Sequence, residues 1–328
     1  MSNETEVELP TDYPQAGQGI PMDLEGQVGI VVDAGPQLGY GHAMRSVRLA
    51  RALSRRQPVV FFPLSENCRE FIEASGFTTT ASSAFPPVVI TDLREAHGIT
   101  ASIRRQGSTH ISIHDLGLGQ CHSDVAIDGS ITRLFPYAAD KDRALFLGPQ
   151  YMITRETVNR GKLKDTVLVT FGGGSTSQFA LKISEELWRM GLMPITTRGF
   201  IGTTPMSDAE FADAMATCRF AISGSGPTLY DLLASGVPTI AVAFDRIQLR
   251  TADAFHEHGA VLSAGPVRRV SSDDLVRYST EMLENRPMIQ RLSQAGPTLV
   301  DGKGLSRVVE IIRRQIWLTS QVKTFTAC

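Results

Sequence analysis

The chain has 328 residues, 42% hydrophobic and 20% charged, a folded globular composition with more length than one ordinary core takes up. With 32 Lys and Arg against 34 Asp and Glu, it carries no global field to draw nucleic acid or an anionic membrane, so any anion site is local. No apolar run approaches the roughly 18 residues of a membrane span, and Cys68, Cys121, Cys218 and Cys328 lack the paired spacing of a disulfide framework or zinc site.

These features predict a protein of the reducing cytoplasm with no metal and no cofactor. Cys121 and His122 lie close to His114, but Cys-His adjacency without a second cluster is more simply incidental. Residues 1–26 hold six acidic residues, no Lys or Arg, and Pro10, Pro14 and Pro21. They read as a disordered acidic tail, not a signal peptide, and as a possible docking segment for a partner protein.

From Val28 to Leu53 an apolar β-branched run, a loop with three glycines and an amphipathic stretch predict strand, tight loop and helix. Such a loop sits at the carboxyl end of its strand, where backbone N–H groups and the positive helix end favour an anion. Gly39 and Gly41 would let backbone approach it, and His42 falls in the first helical turn. The helix terminus disfavours imidazolium there, which predicts a neutral ring able to accept a proton near pH 7. A turn with a histidine cap is the plainer alternative. Among the helix's arginines only Arg45 is near enough to the loop to matter.

The unit then repeats. Pro58 to Phe62 is a short buried strand, Glu66 to Ser75 a helix stopped at Gly76, and Val88 to Asp92 another strand followed by a helix to Arg105. His110 to Asp115 alternates and ends in an acid. Asp33, Asp92 and Asp115 thus each follow a strand at the ligand edge, although Asp also caps turns. Strands at 124–128 and 144–147 close this half. The charged stretch Arg155 to Asp165 breaks the periodicity, which puts a boundary near residue 150.

The second half starts as the first did. A strand at 166–171 leads into Gly172, Gly173, Gly174, Ser175 and Thr176, a cradle suited to a diphosphate, and then a helix over 177–190. Residues 218–242 read as strand, loop, short helix and strand. Gly224 and Gly226 bring backbone close to a ligand, and Asp231, one turn into the helix, can accept ribose hydroxyls or complete a capping box with Thr228. Gln248 follows the next strand end and faces the same edge. Helices start near Ser272 and Pro287, and a last one from Leu305 to Trp317 is expected to pack back on the first domain.

In order along the chain stand Asp33 with Gly39-x-Gly41-His42-x-x-Arg45, Leu147-Gly-Pro-x-Tyr151-x-x-x-Arg155, Phe171-Gly-Gly, Ser223-x-x-Gly-x-Thr228-x-x-Asp231 with Gly236-Val-Pro238, Gln248, and Asp301-Gly-Lys-Gly-x-x-Arg307. The set, over about residues 28–315, resembles the nucleotide-sugar hydrolases of pseudaminic acid biosynthesis and the related spore-coat polysaccharide proteins. The resemblance implies an α/β chain of GT-B architecture, two Rossmann-like domains (27–150 and 151–328) facing a central cleft. The nucleotide would be held mainly by the second. It also implies metal-independent cleavage at the anomeric carbon, with His42 as the base and Asp33 or Asp92 orienting it or binding sugar. Gly39, Gly41, Arg45, Tyr151 and Arg155 would face the sugar. Gly172, Gly173, Gly174, Ser175, Ser223, Gly224, Gly226, Thr228, Asp231 and Gln248 would hold the nucleotide. Two positions depart from the pattern: Asp231 stands in place of a Glu, and Leu93-Arg94 follows Asp92 where the hydrolases carry Asp-x-Tyr. The expected activity is hydrolysis of a UDP-type sugar, with transfer to an alcohol, or binding without turnover, as alternatives.

Overall fold

The computed structural model describes residues 26–36, 38–93, 97–114, 123–133, 143–171, 177–197 and 206–326. Asp115, Cys121, His122, Cys328, the acidic tail to residue 25 and the whole cradle 172–176 lie outside the described residues.

The chain divides into two compact units. The first comprises residues up to Gly129, Arg133–Leu147 and Leu305–Cys328; the second comprises Ser130–Thr132 and Gly148–Gly304. Each is built on one parallel sheet.

In the first unit the strands are β1 (Val28–Val32), β2 (Val59–Pro63), β3 (Val88–Asp92), β4 (Thr109–His114), β5 (Val125–Asp128) and β6 (Ala144–Leu147), in the spatial order β2-β1-β3-β4-β5-β6. All pairs are parallel, and β1 and β3 are buried at every position. That is why they read as unbroken apolar runs: a parallel sheet covered on both faces has no polar side to alternate with. The intervening helices are α1 (Gly41–Leu53), α2 (Glu66–Ala74) and α3 (His97–Arg105). The chain passes from β1 out to β2 and then back across to β3, so the direction of winding reverses between β1 and β3. The carboxyl ends of these two strands flank the crevice where open α/β sheets take their ligands.

The second unit repeats the device with β7 (Thr166–Thr170), β8 (Met193–Thr196), β9 (Phe220–Gly224), β10 (Thr239–Ala243) and β11 (Leu262–Pro266), ordered β11-β10-β9-β7-β8. Its reversal falls between β7 and β9. The helices are α4 (Ser177–Arg189), α5 (Asp208–Thr217), α6 (Pro227–Ala234), α7 (Arg246–Glu257), α8 (Ser272–Glu284) and α9 (Arg286–Leu299).

The last helix, α10, runs Gly304–Thr326, beyond the expected end at Trp317, and from Leu305 on groups with the first unit. Val308, Val309 and Ile312 are buried, Thr319 shares a hydrogen bond with Thr109 (2.9 Å), and Arg313 donates to the Ala52 carbonyl (3.4 Å). The two glycines of the motif ahead of it have a packing reason. A Cβ on Gly302 would run into Thr157, and one on Gly304 into the backbone of Met152.

Candidate functional site

The loop after β1 closes on itself before α1 begins. Gly35 and Gly39 exchange backbone hydrogen bonds (2.7 and 3.3 Å), and Gly39 has φ +79°, a left-handed turn that only glycine enters without strain. The Gly39 N–H is therefore used within the loop. Gly41 opens α1 behind Tyr40, whose side chain makes no capping bond.

His42, in the first turn, reaches across the reversal to the end of β3. Its Nδ1 lies 2.7 Å from Oδ1 of Asp92, a carboxylate with no exposure. Arg45, one turn further along α1 and 3% exposed, donates from Nε to Oδ2 (2.9 Å) and from Nη2 to Oδ1, and Ser46 Oγ donates to Oδ2 (3.1 Å). Burial alone would push the Asp92 carboxyl up, but the charges of Arg45 and His42 and their hydrogen bonds outweigh it and hold it well below the usual carboxylate range. Asp92 is thus ionised and can only accept, which assigns the proton to Nδ1 of His42 and leaves Nε2 as the basic nitrogen. Arg45 Nη2 also lies 3.1 Å from Nδ1. Its charge offsets that of Asp92, so the imidazole faces a nearly neutral pair rather than a bare anion.

Arg45 was expected at the sugar; the structure instead buries it beneath the histidine. Ser46 was not singled out from sequence, although its place four residues after His42 on one helix face was the available signal. Asp33 is not brought to this group. Its Oδ1 accepts from Ala34 N–H (2.8 Å) and from the hydroxyl of Ser65, the cap of α2, so it ties the end of β1 to the start of α2. Beneath it the Cys68 thiol is pushed up to about 12 by burial, with the charge of Asp33 adding to the shift.

In the second unit the reversal is lined by the β9–α6 turn. Ser223 Oγ donates to the Gly224 carbonyl (2.8 Å) and is fully buried, so this hydroxyl closes its own turn. Gly224 packs against the Phe244 ring and the Phe171 backbone, within an aromatic trio completed by Phe179 (ring centroids 5.2–6.0 Å apart). Gly226 caps α6 without a side-chain bond, and a Cβ there would meet nothing within 4 Å. Thr228 stands half-buried in the first turn of α6. Gln248 Oε1 accepts from the backbone N–H groups of Ser225 (3.2 Å) and Phe244 (3.3 Å), joining the turns after β9 and β10.

Asp231 does not form the capping box with Thr228. Its Oδ1 accepts from Arg155 N–H (2.8 Å) and its Oδ2 from Arg155 Nη1 (2.6 Å). Arg155 also donates from Nε to Asp208 (3.1 Å), and its guanidinium lies over the Phe211 ring (4.7 Å). Burial would lower the Arg155 pKa, but the two carboxylates more than reverse this and the net shift is upward. Tyr151 ends a short 3-10 turn, Pro149–Tyr151, entered from Gly148 at φ +118°. Two residues expected to act separately on sugar and ribose, Arg155 and Asp231, are thus partners. Among the described residues no group of three or more His, Cys, Asp or Glu side chains could hold a metal ion, and no helix is long and apolar enough to cross a membrane.

No family model matches the chain. The spore coat polysaccharide biosynthesis protein SpsG of Bacillus subtilis is 23% identical over 332 residues, an alignment covering 87% of this chain and 97% of SpsG. Among solved structures, the spinosyn forosaminyltransferase SpnP superposes with TM-score 0.64 at 12% identity, covering 88% of this chain and 99% of that one. The glycosyltransferase VinC, solved in complex with dTDP, does so with TM-score 0.60 at 13% identity, covering 88% and 99%. The fold is GT-B. In that fold His42 and Asp92 stand at the reversal of the first sheet, and the Gly224–Gly226 turn stands at that of the second.

Proposed function

We propose that the protein is a GT-B enzyme that breaks the anomeric C–O bond of a nucleotide-activated sugar and passes the sugar to a hydroxyl acceptor in polysaccharide biosynthesis. The observation that carries this is the His42–Asp92 pair at the carboxyl ends of β1 and β3. His42 Nε2 takes the proton of the incoming hydroxyl as its oxygen bonds to the anomeric carbon. The C–O bond to the diphosphate breaks at the same time, and its electron pair leaves on the diphosphate oxygen. That leaving group is already a stable anion, so catalysis needs a base on the acceptor and donors on the departing charge. The first role falls to His42, oriented by Asp92. The second falls to the turn that starts α6 and to the glycine-rich sequence Gly172 to Thr176 ahead of α4.

The names of the similar proteins support transfer to an alcohol over hydrolysis: SpnP and VinC are glycosyltransferases, and SpsG is named for polysaccharide biosynthesis. This reverses the preference for water drawn from the sequence. Water remains the second reading, favoured by the ordered motif set from Asp33 to Arg307. Proton NMR of the protein with UDP-, dTDP-, CMP- and GDP-sugars, with and without an alcohol acceptor, separates them. Product that forms only with the alcohol supports transfer, and free sugar without it supports hydrolysis. In either case His42→Ala should lose on the order of 10²–10⁴ in rate. Ligand binding with no turnover under any condition overturns the enzymatic reading.

A further inference from the structure

With His42 as the base, as the proposed function has it, the pH at which Nε2 gives up its proton decides where the protein works. An imidazole bonded to an ionised carboxylate ordinarily holds that proton more tightly, because the anion stabilises imidazolium. Asp92 is such a carboxylate, 2.7 Å from Nδ1. Yet the same oxygen, Oδ1, also accepts from Nη2 of Arg45, and that nitrogen lies 3.1 Å from Nδ1. Two donors thus converge on one acceptor and stand against each other. Nδ1 carries its proton in both states of the ring, so the guanidinium repels only the imidazolium that forms when Nε2 is protonated. A negative and a positive charge therefore act on the ring from comparable distances. Asp92 has no exposure and Arg45 is 3% exposed, so water weakens neither of them.

We infer that Arg45 sets the working pH of His42 by cancelling the field of Asp92 across the oxygen they share. The carboxylate orients the ring, and the guanidinium keeps that orientation from locking a proton on Nε2. Arg45 acts through His42 and is a positioning residue. The other charged groups on the elements packed around α1 are few. β1 ends in Asp33, whose Oδ1 accepts from the Ala34 N–H and the Ser65 hydroxyl. α2 carries Glu66, paired with Arg69 (3.2 Å), and Glu70, all exposed. α1 itself adds Arg48, and Arg94 and Glu95, after β3, lie outside the described residues. Each of these is the same in the parent and in variants of Arg45 and Asp92, so differences between those proteins isolate the two buried groups.

The experiment is proton NMR titration of the His42 ring in the full chain, its signal assigned by loss in His42→Ala, beside the pH profile of kcat/KM on whichever nucleotide sugar turns over. In the parent, His42 should titrate at or below the unperturbed value of about 6.5 in spite of its carboxylate, and a midpoint above about 7.5 overturns the inference. Arg45→Gln should raise the midpoint by about 1 unit or more, and the acid limb of the rate profile should rise with it. Arg45→Lys restores the charge without the planar fork and should bring the midpoint back toward the parent's, which repair of packing alone would not do. Where Arg45→Gln fails to fold, the double variant Arg45→Gln with Asp92→Asn removes both buried charges together. Its midpoint should stay within about half a unit of the parent's, and a fall of about 1 unit or more would mean that the field of Asp92 was never cancelled. Midpoints that move as stated while the rate profile stays put would remove His42 as the base, and the proposed function with it. Midpoints that do not move, beside a profile that still follows His42, overturn only the role given to Arg45.

Discussion

The two sheet reversals each hold a buried aspartate bound to an arginine, yet the two carboxylates end in opposite situations. Asp92 has three donors on α1, and one of them, His42, keeps 14% of its side chain exposed while its Nδ1 is fixed. Asp231 has one donor residue, Arg155, which takes both oxygens. The first carboxylate passes its influence outward through an imidazole. The second closes an internal link between α6 and the segment that follows the 3-10 turn. A strand-end acid is therefore not a site by position alone: the donors that reach it decide whether it orients a reactive group or joins two pieces of chain.

The comparison is broken most severely at Asp92. Asp92→Ala strands a guanidinium that is 3% exposed, and removing one partner of such a buried pair costs on the order of 3–5 kcal/mol. Urea unfolding should show that loss, and any folded fraction should have lost the orientation of His42 as well. Asp231→Ala should cost less, about 3 kcal/mol or below, because Arg155 is partly exposed and keeps Asp208. A larger loss at Asp231 than at Asp92 would invert the contrast drawn here. His42→Ala, by comparison, should leave the unfolding midpoint nearly unchanged while the rate collapses, because its ring is at the rim of the cluster and Arg45 still satisfies Asp92.

Acid sharpens the same contrast. The native Asp92 pKa lies below that of an unfolded aspartate, so its stabilisation is complete above the unfolded value of about 3.9 and is lost as pH falls toward the native one. The stability gap between the parent and Asp92→Asn should be constant above about pH 5 and should shrink below about pH 4. A gap that widens on acidification would mean that the carboxyl is protonated in the native protein.

Much of the fold was legible because its signals are local. Buried parallel strands such as Val28–Val32 and Thr239–Ala243 are continuous β-branched runs, and Gly76 and Gly107 stop helices where positive φ is needed. Elements whose signal is weaker were not singled out. β8 is a four-residue edge strand containing Pro194, β11 includes Gly265 and Pro266, and α5 has its apolar positions diluted by Ala and Asp. The His42 loop was legible as strand, turn and helix start. Its partner was not, since choosing Asp92 over Asp33 depends on β3 lying next to β1 with Val32 opposite Asp92. The Arg155–Asp231 pair joins residues 76 apart in sequence, and no periodicity or spacing announces it.

The smallest expected effect is the one that isolates what holds the histidine. Ser46 donates a single hydrogen bond to Oδ2 of Asp92, an oxygen that Arg45 Nε also serves, so Ser46→Ala leaves the carboxylate paired and removes one donor to a charge. A loss of about 1.5 kcal/mol is expected, at the low end for a hydrogen bond to a charged group. The more telling readout is the ring itself. With Oδ1 still held by Arg45 and His42, the ¹⁵N shifts of the imidazole should keep the proton on Nδ1 in Ser46→Ala, whereas in Asp92→Asn that preference should vanish. If Ser46→Ala alone moved the proton to Nε2, the orientation of His42 would depend on the full donor set around Asp92 and not on the carboxylate pairing by itself.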